Sequence, residues 1–384
     1  MRRAEAPGGR AGFGAATFIA AFVLVACAAE HPAPTSRPQT VPPPTVAATV
    51  GLPAPTPASS SPTDFTLREI DREFPAVTAL TSTGEHLYWG SEAAVWRYTP
   101  DDPDPQRVYE NPADGALMWD VAAVDDALVL SELLQSPAGT WRVAYVPDDG
   151  AAAVELDRGI AEQGAPPTLA IDGQRIAWAG FDESSGSPRS FLRVAERASP
   201  DAATTLLDLD IDDGLHWHPQ LDEDTLWYGI IEPDFAGTGA GDEIHIETID
   251  LTHPSAGPAR FDGDDNDFNP AVSEDYVVWK SVEPGFAALT WGQLRVLDRH
   301  TNERLVIADR ANNPSIGSRF VAFEEISHQK LLIYDLATRT LVEVPDPIGG
   351  ANGTVGPVAI SGNLLGYGVS AKGSKTVFWT ILPD

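Results

Sequence analysis

One cysteine, Cys27, occurs in 384 residues. No internal disulfide can form, so the fold has to rest on a buried core rather than on covalent staples. Lysine is scarce too: Lys280, Lys330, Lys372 and Lys375 are all there are, and 25 basic residues face 56 acidic ones for a formal net charge of −31. Nucleic acid and anionic lipid surfaces are thereby excluded as electrostatic partners, because counterion release needs clustered Lys and Arg. Apolar residues at helical spacing are missing from residue 65 onward, which argues against a helical bundle.

Turn chemistry is abundant instead, with 33 glycines and 33 prolines in a chain that is 43% apolar. Such a composition describes short extended segments joined by many turns, an all-β chain long enough for one large domain or two ordinary ones.

The N-terminus carries Arg2, Arg3 and Arg10, then an uncharged apolar run from Phe13 to Ala26. That run is too short to span a bilayer but suits the apolar region of a signal peptide. It ends in Leu24-Val25-Ala26-Cys27, which resembles the bacterial lipobox. The resemblance implies a signal peptide over residues 1–26 and diacylglycerol on the Cys27 thiol, with further acylation (palmitate or a similar chain) of the new N-terminus. The chain would then be extracytoplasmic, anchored by its lipid to the cell membrane or outer membrane. Residues 27–62 would be the lipidated cysteine and a tether rich in Pro, Ala, Thr and Ser, a composition that forms no packed core. The folded domain is expected over 63–384.

Aligning that domain on itself uncovers a repeat. Ile171/Trp178, Leu221/Tyr228, Val272/Trp279, Ile316/Phe323 and Ile360/Tyr367 each place an apolar residue seven positions before a terminal aromatic, with an acidic, Ser or Gly turn between them. Two weaker copies end at Trp89 and near Ser131, and successive copies lie 42 to 51 residues apart. This is the period of β-propeller blades. The expected fold is a seven-bladed β-propeller of four-stranded antiparallel blades, although six or eight blades fit the same spacing. The last repeat runs out after three strands, so Phe65 to Asp71 (FTLREID) is expected to supply its fourth and close the ring.

The repeats open on Asn-Pro or His-Pro, turn on residues such as Ser273-Glu274-Asp275, and include the strand Leu331 to Leu336 (LLIYDL). The pattern resembles the TolB-like family of propeller repeats, over about residues 65–384. The full Ser-Pro-Asp-Gly turn of that family is absent, so the resemblance implies fold more than function.

Propeller ligands gather on the face made by the connections from each outer strand to the next inner strand. Candidate binding residues on that face are Trp119, Asp120, His216, Trp217, His218, Asp265, Asp267, Phe268, Asn269, Asn312 and Asn313. His216 and His218, two residues apart on an entering strand, would point the same way, and with a carboxylate they could hold Zn²⁺ or Mn²⁺. His218, however, occupies the slot that Asn269 and Asn313 fill in other repeats, which favours a repeat hydrogen bond over ligation. Asp264, Asp265 and Asp267 could take Ca²⁺, and otherwise no cofactor is expected. Asp208, Asp210, Asp212 and Asp213 lack the glycine and glutamate of a calcium loop, and their alternation with Leu and Ile reads as an outer strand. Trp119, Trp217 and Phe268 could stack on a ligand or pack the blades.

The expectation is a monomeric, non-catalytic binding or assembly module that engages a protein or envelope polymer. The alternative is a propeller enzyme, a polysaccharide lyase or hydrolase, with histidines and carboxylates at the channel mouth.

Overall fold

The seven-residue interval between apolar residue and aromatic is the signature of a tight hairpin. In the third repeat Ile171 pairs with Ile176 and Leu169 with Trp178, so all four side chains share one face. The acidic turn has a local cause: Asp172 Oδ1 accepts the backbone N–H groups of Gln174 at 2.7 Å and Arg175 at 2.5 Å, folding the chain back on itself.

A computed structural model of the chain describes residues 66–113, 115–134, 139–148, 152–161, 165–232, 243–261, 266–282, 292–325, 330–344, 353–371 and 374–383. Cys27, the signal and tether segments, Asp264 and Asp265 lie outside the described residues. Each blade is an antiparallel meander of four strands, here given from the channel outward. Blade 1 comprises Leu80–Ser82, Leu87–Ser91, Ala94–Thr99 and Asp102–Glu110; blade 2, Leu117–Val124, Ala127–Leu134, Thr140–Pro147 and Val154–Ile160. Blade 3 comprises Thr168–Ile171, Arg175–Asp182, Arg189–Glu196 and Thr204–Asp210; blade 4, Leu215–Asp222, Thr225–Glu232, Glu243–Asp250 and Ala259–Arg260. Blade 5 comprises Asp267–Val272, Tyr276–Ser281, Gly292–Asp298 and the start of Arg304–Ile316. Blade 6 takes the end of Arg304–Ile316, then Phe320–Glu325, Lys330–Asp335 and Thr340–Glu343. Blade 7 has Gly353–Ser361, Leu364–Ala371 and Ser374–Ile381.

The fourth strand of blade 7 is Arg68–Glu69, antiparallel to Ser374–Ile381 with Arg68 opposite Trp379 and Glu69 opposite Phe378. The N–H of Ile70 donates to the Val377 carbonyl at 3.0 Å, extending the seam beyond the two paired residues. The N-terminal strand thus closes the ring as expected. One outer-to-inner connection is no loop at all: residues 309–313 belong to the continuous strand Arg304–Ile316. That strand pairs with Gly292–Asp298 up to Ala311 and with Phe320–Glu325 from Ala311 onward, so it serves two blades.

Blade faces bury their apolar residues against each other, and the cores lie between blades rather than within them. Seven such cores are found among the described residues, one for each neighbouring pair round the ring, including Ile70, Phe74, Trp89 and Trp379 between blades 7 and 1. The repeat aromatics Trp89, Trp178, Tyr228, Trp279, Phe323 and Tyr367 are all buried. The outer strand Thr204–Asp210 carries Asp208 and Asp210 outward to Arg189, at 2.8 Å and 3.1 Å, which is the role their alternation indicated.

Candidate functional site

Inner strands begin at the face where the outer-to-inner connections enter, and those of blades 4, 5, 6 and 7 share one register shift in which a proline and the residue before it face a single partner, with a left-handed residue before the proline in blades 4 to 6. In blade 4 Trp217 pairs with Gly229, but the next paired residue is Gln220, opposite Trp227; His218 and Pro219 together face Tyr228. In blade 5 Asn269 and Pro270 face Trp279 between the pairs Phe268–Lys280 and Ala271–Val278. In blade 6 Asn313 and Pro314 face Phe323 between Asn312–Glu324 and Ser315–Ala322. Two residues opposite one is a β-bulge. Proline has no N–H to give the ladder, and the residue before it turns left-handed, with φ of 48° at His218, 51° at Asn269 and 47° at Asn313. Asn and His are among the side chains that tolerate this region best. The polar-Pro slot is therefore first a backbone requirement.

The bulge sends the two histidines apart, correcting the expectation that they point the same way. His216 is fully buried beside blade 3: its Nδ1 lies 2.8 Å from Ser190 Oγ, which also accepts the His216 backbone N–H at 2.8 Å. The serine hydroxyl keeps a second lone pair as well as its O–H, so it donates to Nδ1 or accepts from it according to which ring nitrogen carries the proton. Burial pushes the His216 pKa down to about 4. His218 instead sits half-buried between the rings of Trp217 and Phe268, with centroids at 5.4 Å and 6.3 Å. Burial, followed by the nearby Lys280 charge, takes its pKa down to about 3. Its backbone N–H donates to Thr168 Oγ1 of blade 3 at 3.0 Å.

The other candidates prove to be clips and packing. Asp120 holds the N–H of Val121 through Oδ1 and that of Leu169, in blade 3, through Oδ2, both at 2.9 Å, while burial raises its pKa to about 6. Trp217 and Phe268 are buried, and with Ala165 and Ile244 they form one cluster, on which the half-buried Trp119 also packs. Asp267 and Asn269 are likewise buried. Trp217, Phe268, His216, Asp267 and Asn269 therefore belong to the wall rather than to an open surface.

Two functional-looking residues escaped the sequence reading. Lys280 is 1% exposed, lies 5.6 Å from the centroid of the Phe268 ring and donates to Asn312 Oδ1 at 2.8 Å. Burial lowers its pKa to about 8. In blade 6 Glu324 hydrogen-bonds Asn313, and burial pushes its pKa up to about 8. Both follow the blade aromatic, a slot held by Gly90, Ala179, Gly229 and Gly368 elsewhere. Gly229 shows why small residues are used there: a Cβ would come within 2.9 Å of the Phe268 ring. A charged residue in that slot was the available signal. Glu132 of blade 2 holds it as well, bonded to Asn111 Nδ2 at 2.9 Å and Arg142 Nε at 2.8 Å.

Among the described residues, one group of three side chains has metal-ligand geometry, and it contains neither His216 nor His218. It consists of Glu232, Glu243 and His245 of blade 4, whose ligand atoms lie within 4.8 Å of one another.

No protein-family model matches the chain, and no curated protein does. Solved structures do. The β-propeller domain of the Trilobed protease from Pyrococcus furiosus, reported with an open velcro topology, matches with a TM-score of 0.58 at 10% identity, covering 82% of this chain and 96% of that one. A structure of two prolyl endopeptidases matches with a TM-score of 0.55 at 10% identity, covering 82% of this chain and 51% of that one. A TolB from Agrobacterium tumefaciens reaches a TM-score of 0.44 at 15% identity over 61% of this chain and 81% of its own, too distant to argue from. These likenesses show a β-propeller fold and nothing about activity.

Proposed function

We propose that the chain is a lipid-anchored, extracytoplasmic bacterial protein whose TolB-like propeller is a binding or assembly module, engaging a protein or envelope polymer through the face where outer strands lead to inner ones. The lipobox-like Leu24-Val25-Ala26-Cys27 and the Pro-rich tether support the anchoring. One observation carries the binding role: polar residues near the blade entrances join neighbouring blades at four seams. Asp120 clips blade 2 to blade 3, Thr168 clips 3 to 4, Lys280 clips 5 to 6 and Ser315 clips 6 to 7. What this rigid frame offers to the outside is its rim, where Leu117 is 43% exposed beside the half-buried Trp119. The Ser190–His216 contact has the outline of an activated nucleophile, yet both residues are 0% exposed, so a substrate cannot reach it.

A photo-crosslinking residue placed at Leu117 in the anchored full chain tests this reading. It should capture a defined partner that a label at Gln174, on the turn joining the first two strands of blade 3 at the opposite end of the ring, does not. Equal capture from both positions, or capture from Gln174 alone, would overturn the assignment of the face. For the anchor, Cys27→Ser should release the protein from membranes; a variant still wholly membrane-bound would refute it.

A further inference from the structure

Strand pairing puts Glu232 directly opposite Glu243 at the end of the second and third strands of blade 4. Like charges facing across a ladder are destabilising, and nothing in the meander requires them there. Arg260 Nη1, at 2.8 Å from Glu243 Oε1, covers one of the carboxylates. Two residues along the same face stands His245, 5% exposed, with a ligand nitrogen within 4.8 Å of a carboxylate oxygen from each glutamate.

The histidine is built in as a ligand would be. Its Nε2 lies 3.3 Å from Glu247 Oε1, and Glu247 Oε2 in turn accepts the Tyr228 hydroxyl at 2.5 Å. Nδ1 is buried and has no hydrogen-bond partner among the described residues. A carboxylate on one ring nitrogen, leaving the other for a cation, is the usual arrangement around a metal-bound imidazole, where the outer carboxylate fixes the tautomer and raises basicity. A core histidine serving only to pack would leave that Nδ1 unsatisfied at a cost.

We propose that Glu232, Glu243 and the Nδ1 of His245 form a site for a divalent transition cation such as Zn²⁺, oriented by Glu247 and Tyr228. One imidazole with two carboxylates suits Zn²⁺ or Mn²⁺ and disfavours Ca²⁺, which prefers an all-oxygen shell. The site lies on the same face of blade 4 as His216, in the second and third strands rather than the inner one, and it stands or falls independently of the binding role proposed above.

Titration of the chelator-treated full chain with ZnCl₂ by calorimetry tests it. One Zn²⁺ per chain is expected, uncompeted by a tenfold excess of Ca²⁺. Glu247→Gln should weaken binding by about 10–100-fold. Because His245→Ala could simply unfold the blade, the deciding variant is Glu232→Gln with Glu243→Gln, two exposed positions. It should keep the metal-free Tm within a few degrees and lose the Zn²⁺ isotherm. A second readout is the His245 imidazole NMR signal, which should move on adding one equivalent of Zn²⁺. No stoichiometric binding, binding that survives the double variant, or an unmoved His245 signal would each overturn the proposal.

Discussion

The faces on either side of blade 3 are built in opposite ways. Towards blade 2 it presents large apolar groups: Trp178, Phe181 and Phe191 meet Trp141, Val143 and Tyr145, with the Trp141 and Phe191 rings 5.5 Å apart. The two tryptophan N–H groups there are satisfied across the interface, Trp141 by the Phe181 carbonyl at 3.2 Å and Trp178 by Asp157 at 2.7 Å. Towards blade 4 it presents Leu192 and the small residues Ala170, Ala177 and Ala179 against Leu226 and Tyr228. Near the channel mouth that second interface also holds Ser190 with His216, and the contiguous face of blade 4 carries Tyr228, Glu247 and His245. One repeat pattern therefore supports either a greasy seam or a polar one, because the aromatic and the turn define the blade while the slots between them are free to vary. The greasy seam stabilises by area removed from water; the polar seam depends on every buried group finding its partner.

The largest expected effect breaks the first seam. Trp178→Ala should cost about 3–5 kcal/mol, from lost burial and the cavity left behind, read from urea unfolding. In the polar seam Ser190→Ala should cost about 1–3 kcal/mol, because it strands the His216 Nδ1 and backbone N–H in a dry site. A loss below the scatter of the unfolding curve would mean that this contact is idle.

Acid should separate the seams further. His216 and His218 have folded pKa values of about 4 and about 3 against an ordinary 6.5, so the unfolded chain takes up their protons first. Their contribution is complete above pH 6.5 and is lost as pH falls through the windows ending near 4 and 3. Asp120, raised to about 6 from 3.8, works the other way: its contribution is full below 3.8 and lost as pH rises through 6. His218→Asn, which installs the residue that Asn269 and Asn313 already hold at this left-handed position, should fold normally and flatten the fall in Tm between pH 6.5 and 4. A slope identical to that of the parent chain would assign the acid sensitivity elsewhere. The smallest effect is expected on the solvent side of blade 3, where Arg189→Ala removes its pairs with Asp208 and Asp210 and should leave the unfolding midpoint within experimental scatter.

Much of this architecture could be read directly from residues. Trp178 seven positions after Ile171, repeated through Tyr367, gave both the hairpin and the period, and Phe65 to Asp71 stood without a partner until the ring closed on Arg68 and Glu69. Side-chain direction at the blade entrances could not be read in the same way. A bulge shifts the register by a residue and so reverses which face a side chain meets, and His218-Pro219 announces a distortion without saying where His216 will then point. The buried charges were hidden for a different reason. Lys280 and Glu324 occupy a slot that is small in other blades, and only packing against Phe268, Asn312 and Asn313, distant in sequence, shows what fills it.

The claim on which the reading of the entrance rests is that its histidines are frame and not chemistry. A pH titration of the imidazole ¹⁵N signals of the full chain tests it most directly. His216 should remain neutral from pH 8 to pH 5, and His218 should stay neutral over the same range. Titration of either ring with a midpoint between 6 and 7 would contradict the buried, blade-joining role and return both histidines to the list of groups able to exchange protons with a ligand.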